Sequence, residues 1–483
     1  MSAVRRVAVV AALALGVSVA SATAASAHAI LLRTDPSPQT TVARSPTSIR
    51  LEFSEPVEAA FGAVRVFDVD GRRVDPAKVT ISRSGRQMVV PVRPLADGTY
   101  PVTWRVASED GHPVSGGFGF YVGAPSTISA VAVARDPGPS ARVVWGYGAV
   151  RFAWLSAFMG LVGMVAARRW VWTPAVRAAG LEESAMASTF RSRFAHALPA
   201  AWLVLAVAGL LTLVFQAATV SGLSLAGAAR PGVLGQVLET TFGRLWVAQA
   251  GLTGLAAVPV VALVRSRPLL GWAPGRWIAV LGLVAFGLAL VTALSGHARA
   301  SAYPPANVPS VAVHLVAVGV WVGGLGALLL LGSGAWSCLP ADRRAAFLRE
   351  VVARFSRLAV AAVIVVVATG LVSSFNELAG PADLWRVAYG RVLAAKIVLL
   401  AVALVLASRH RRTVAHRPGR FRWTATVELG LLSGTTVLAA TLVALVPGRS
   451  LALAERGPVN QERRVGDYTV QLFVDPTVVG ANQ

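Results

Sequence analysis

The chain has 483 residues, 55% of them hydrophobic and only 14% charged, whereas soluble proteins average roughly 45–50% apolar and about 25% charged residues; a wholly soluble globular protein is excluded and most of the chain belongs in lipid. The formal charge of +22 comes from 45 basic and 23 acidic residues, among which only Lys78 and Lys396 are lysines, and neither follows a glycine as a phosphate-cradling Walker loop requires. The single Cys338 excludes an intrachain disulfide, a CxxC metal site and a four-thiolate iron-sulfur cluster, which leaves metal chemistry to His, carboxylate and Met.

Residues 1–27 read as a secretory signal: Arg5 and Arg6 are the charged start, residues 7–20 the apolar stretch, and Ala25-Ser26-Ala27 the small-residue cleavage site. The apolar run is short for the roughly 20 residues of a membrane span, so cleavage is expected and the mature chain begins at His28. Residues 28–123 then turn β-like. Alternating runs such as Ile49-Arg50-Leu51-Glu52-Phe53, Val64-Arg65-Val66-Phe67 and Thr103-Trp104-Arg105-Val106 are separated by Asp70-Gly71, Ser84-Gly85 and Asp97-Gly98 turns. That spacing predicts an extracytoplasmic β-sandwich.

The chemistry of this domain lies at its two ends. A free N-terminal His28 offers two nitrogen donors, its α-amine and imidazole Nδ1, to one ion. In Ser108-Glu109-Asp110-Gly111-His112-Pro113, Asp110 and His112 stand two apart on a turn. Amine, imidazole and carboxylate in tetragonal geometry are a Cu(II) or Ni(II) set.

His28-Ala29 after the cleavage site, the run Leu51-Glu52-Phe53-Ser54-Glu55-Pro56-Val57, and the Ser-x-Asp-Gly-His-x-x-x-Gly stretch ending in Phe118-Gly119-Phe120-Tyr121-Val122 resemble CopC, the extracytoplasmic copper-binding β-sandwich. The resemblance implies that Cu(II) is bound by His28, Asp110 and His112. The Met-rich Cu(I) site of some CopC proteins is not expected, because Met88 is the only Met of the domain.

After a linker over 124–142, hydropathy predicts an all-α membrane domain over 143–446 with eight spans near 143–166, 197–217, 245–264, 276–296, 309–331, 358–375, 391–408 and 424–446. With the first domain outside, nineteen arginines fall in the four inner connections against five in or bounding the outer ones. The charge thus reports topology by the positive-inside rule and not nucleic acid. Arg193-Phe194 and Arg354-Phe355, each followed sixteen residues on by Gly209 or Gly370, and Phe242-Gly243-Arg244 and Tyr389-Gly390-Arg391, read as a parallel internal repeat that matches Gln249 with Lys396. Lys396 and Glu428 lie near helix ends and are expected to reach the surface, His196 is expected at the inner interface, and Met159 and Met164 in the packed core. His297 and His314, both toward the outer face, are the candidate entry site for copper. Trp321, seven residues beyond His314, shares its helical face, and Gly323 and Gly324 permit close packing.

Ser295-Gly296-His297-Ala298, His314-Leu315, Trp321 with Gly323-Gly324-Leu325, Arg354-Phe355-Ser356, Thr369-Gly370 and Tyr389-Gly390-Arg391 resemble the CopD family of eight-helix copper-associated membrane proteins. A CopC-like domain fused to a CopD-like one implies a non-enzymatic protein of copper homeostasis: the outer domain captures Cu(II) and the bundle carries copper inward across the cell membrane. Its expected partners are copper, the lipid bilayer and other extracytoplasmic copper carriers. The alternative is a membrane redox protein in which His297, His314 or His196 ligates a b-type haem or copper. A copper oxygenase is disfavoured because the Asp110 carboxylate would occupy the position that O2 needs. Residues 447–483 form an extracytoplasmic tail in which Tyr468, Val470, Leu472 and Val474 alternate, the pattern of a strand or two too short to bury a core alone.

Overall fold

The computed structural model describes residues 29, 31–58, 64–76, 79–108, 111, 113–124, 140–265, 269–301, 303–416, 421–442, 445, 448–449, 459–465 and 468–474. These fall into two compact units, one drawn from residues 24–146, 213–244 and 446–483, the other from 147–212 and 245–445.

The first unit contains a β-sandwich. One sheet has the order β1 (Leu31–Asp35), β3 (Ser48–Phe53), β7 (Gln87–Pro91), β6 (Thr80–Ile81); the other has the order β2 (Thr41–Val42), β9 (Pro113–Val122), β8 (Gly98–Ser108), β4 (Val57–Glu58), with β5 (Val64–Val66) also on β8. The two-residue period predicted from sequence is what the sheets use: Ile49, Leu51 and Phe53 point inward while Arg50 and Glu52 face out. Val64, Val66, Val90, Val102 and Phe120 complete a core with no exposed surface. Met88 is also fully buried, so its thioether packs the core and is closed to an incoming ion. Gly116 sits opposite Trp104 across β8 and β9, where a Cβ would come within 2.6 Å of the indole; the last glycine of the Asp-Gly-His motif makes room for that ring. Asp75 is a buried ionic group of this domain. Its carboxylate accepts the Val66 N–H at 2.8 Å and pairs with Arg73 at 2.7 Å, and the Asp75 hydrogen bond holds the guanidinium above its ordinary pKa, so both charges that burial would penalise are partnered. At the far end of the chain, β10 (Val459–Val465) and β11 (Tyr468–Val474) form an antiparallel hairpin, the paired strands expected of the tail.

Among the described residues, eight helices are long and apolar enough to cross a bilayer: α1 (Ala141–Ala178), α2 (Ala185–Ser221), α3 (Thr241–Val264), α4 (Pro274–Leu294), α5 (Pro304–Gly332), α6 (Ala341–Glu377), α7 (Ala388–His416) and α8 (Phe421–Leu442). All eight predicted spans are present. Helices α2, α6 and α7 run well past the apolar stretches on the arginine-rich side, because backbone hydrogen bonding continues after lipid ends. The Glu350–Arg354 pair at 2.6 Å, one turn apart on α6, supports such a polar extension. Trp172 stacks on Phe190 at 4.0 Å and meets Phe347 edge-on at 5.3 Å, which ties α1, α2 and α6 together. Met159 and Met164 are buried in this core, as expected. Helix α5 is not uniform: π-helical turns occupy Gly319–Gly323 and Leu328–Gly332. At the first of them the backbones of α1 and α5 touch, with Gly163 and Met159 directly against Gly323.

Candidate functional site

His28, Asp110 and His112 lie outside the described residues; the fold around them is described. Leu31 in β1 pairs with Phe53 in β3, and Ser108, the last residue of β8, pairs with Val57 in β4. Only three residues, Ser54-Glu55-Pro56, separate Phe53 from Val57, and there the chain crosses from one sheet to the other. Segment 51–57 therefore brings the strand that follows His28 and the turn that carries Asp110 and His112 to one end of the sandwich. Ala29 is buried in the same core as Val106 and Val114, which flank that turn. Within the turn the Gly111 N–H donates to the Ser108 carbonyl at 2.8 Å. Gly111 has φ +82°, a left-handed conformation that a residue with a Cβ adopts at a cost, so the turn favours glycine at this position.

In the membrane unit, His314 faces α6. Its Nδ1 lies 2.9 Å from Thr369 Oγ1, while that hydroxyl donates to the Val365 carbonyl at 2.6 Å. A hydroxyl has one proton, and the shorter bond takes it; His314 Nδ1 is then the donor and its Nε2 keeps the lone pair that binds metals. The bond belongs to a polar seam between α5 and α6. Ser310 Oγ donates to the Thr369 carbonyl at 3.3 Å. Asn307, with no exposed surface, donates from Nδ2 to Glu377 Oε1 at 3.2 Å and accepts from Ser373 Oγ at 3.1 Å. Sequence reading found His314 and missed its seam. A signal was available in the three-to-four-residue spacing of Asn307, Ser310 and His314, which puts them on one helical face.

The other predicted positions are distributed as follows. His297 opens the single helical turn His297–Ala300 that follows α4 and is half-buried. His196 is exposed and its Nδ1 donates to the Ser192 carbonyl of its own helix at 2.7 Å. Trp321 is buried within the first π turn of α5. Glu428 departs from expectation. It is buried instead of reaching the surface, and lines a cavity of about 220 Å³ with Trp321, Phe355, Ser356 and Leu404; carboxylates held inside a bundle are costly and mark functional positions. No group of three or more His, Cys, Asp or Glu side chains arranged to hold a metal occurs among the described residues.

Comparison with known proteins covers both halves. Residues 31–123 match the CopC domain model, 140–302 the copper resistance protein D-like N-terminal domain, and 349–442 copper resistance protein D. The copper transport protein CutJ of Bacillus subtilis (strain 168) is 31% identical over 411 residues, 82% of this chain and 71% of that protein. Copper resistance protein C of Xanthomonas campestris pv. juglandis is 36% identical over 112 residues, 22% of this chain and 87% of its own length. The solved CopC from Methylosinus trichosporium OB3b is 33% identical and covers 20% of this chain and 95% of that one, with a TM-score of 0.19. With the order of domains, the eight spans and a relative matched across most of its length in agreement, the chain belongs to the CopC–CopD fusion family of copper transport and resistance proteins and is a multi-pass membrane protein.

Proposed function

We propose that the mature protein begins at His28, captures Cu(II) outside the cell through the His28 amine and imidazole with Asp110 and His112, and carries copper inward through the helical bundle. The observation that carries this reading is the crossing at 51–57, which holds the β1 end and the Ser108 end of the sandwich together and so lets donors from the two ends of the domain converge on one ion. Within the bundle, His314 is the first acceptor: the Thr369 hydroxyl orients its ring and leaves Nε2 as the ligand. The Trp321–Glu428 cavity is the inner chamber, where a carboxylate offsets the charge of a passing cation.

Copper accumulation separates these steps. Cells carrying His314→Ala are expected to fall to the level of cells without the protein, while the folded amount and Cu(II) binding by the outer domain stay unchanged; uptake at the normal rate overturns the role of His314. The direction of the chain is tested separately. Reporter fusions after Arg344 and after Arg412 are expected to read cytoplasm, given the arginine asymmetry, and an external signal from either overturns the topology.

A further inference from the structure

The β-sandwich is joined to residues 213–244 by more than the chain. Three anchors, all on the five-stranded sheet or its turn, reach this segment within the first unit. Gln216, 4% exposed on the last turns of α2, donates from Nε2 to the Gly111 carbonyl at 2.5 Å. Arg105 of β8 donates to the Thr219 carbonyl at 2.7 Å. Glu58 of β4 accepts the Thr241 N–H at 2.9 Å and its hydroxyl at 2.5 Å, so that a carboxylate caps the first turn of α3, where the helix dipole favours negative charge. Arg244 braces the same Thr241 hydroxyl at 2.8 Å.

Three separated anchors fix a body in both position and orientation. One anchor also falls on a particular place: Gly111 is the residue between Asp110 and His112.

We propose that the outer domain is a fixed copper receptor, docked on the 213–244 segment by Glu58, Arg105 and Gln216, and that Gln216 is a positioning residue that presents the Asp-Gly-His turn for direct transfer of copper to the bundle. The proposal rests on the reading of that turn as the Cu(II) site. It adds that transfer is intramolecular, at the high effective concentration of a docked donor. Gln216 acts through Gly111 and does not touch the ion. Its substitution therefore leaves the ligands in place and changes their presentation.

The test uses the full chain in nanodiscs, with Cys338→Ser as background and spin labels at Arg72→Cys, an exposed turn position, and Leu223→Cys, exposed on the 213–244 segment. The label-to-label distance distribution is expected to be narrow, and to broaden when Gln216→Ala and Arg105→Ala are combined. A broad distribution in the unsubstituted protein overturns the docking, whether or not copper is bound. Copper uptake in cells is the second reading. Gln216→Met keeps the length and removes the donor, so it is expected to slow uptake about tenfold, the scale of one hydrogen bond, with Cu(II) stoichiometry unchanged. Normal uptake by Gln216→Met overturns the positioning role. Loss of the Cu(II) resonance from the unsubstituted protein would instead strike at the proposed ligand set, and the label distances would still report on docking.

Discussion

Adding a single residue ahead of His28 is expected to weaken Cu(II) binding by about a hundredfold or more, and His112→Ala to do at least as much. The extension is the sharper experiment because it alters no side chain: an amide nitrogen replaces the free amine, and a four-donor set loses its N-terminal chelate while both imidazoles and the Asp110 carboxylate remain. Competition titration measures the affinity, and the electron paramagnetic resonance spectrum reports the donor set. A protein beginning Gly-His28 that binds as tightly as the native start, with the same spectrum, would remove the amine from the site even if copper remained the ligand. The pH dependence follows from the same donors. Each imidazole and the amine must shed a proton to bind, so affinity falls as pH drops through the amine range, about 8, and further through the imidazole range, about 6.5.

The bundle's largest expected effect lies at a glycine far from any ligand. Gly323→Ala is predicted to destabilise the protein by about 3 kcal/mol or more, beyond the usual overpacking cost, since the new Cβ meets backbone that cannot rotate away. The obstacle is the Met159 carbonyl and the Gly163 backbone of α1, and relief requires two helices to separate. Gly324→Ala provides the contrast one residue on: its Cβ comes within 3.1 Å of the Phe355 ring, a side chain that can yield, so a loss of about 1 kcal/mol is expected. Gly282→Ala meets nothing within 4 Å and should be neutral. Thermal unfolding in detergent, read with size-exclusion profiles, ranks the three; equal stability of the Gly323 and Gly324 variants would refute the close contact.

What could be read from sequence was whatever depends on the residues themselves or on near neighbours. A span is a run of apolar residues long enough for the hydrocarbon, and all eight were legible. The inward positions of β3 follow from strict alternation. Gly323 and Gly324 pointed to close packing because small residues have few other uses between helices. The tertiary structure decided the rest. The π turn over Gly319–Gly323, where the α1 and α5 backbones touch, interrupts the regular helical count between His314 and Trp321. Glu428 was read as a surface residue from its place near a helix end; the facing walls of α5, α6 and α7 enclose it in a cavity. The bond from Gln216 to Gly111 joins residues 105 apart in sequence, and Asn307 meets Glu377 across 70. No local pattern encodes such pairs, because the partner of a buried polar group is set by which backbone the fold brings within about 3 Å of it.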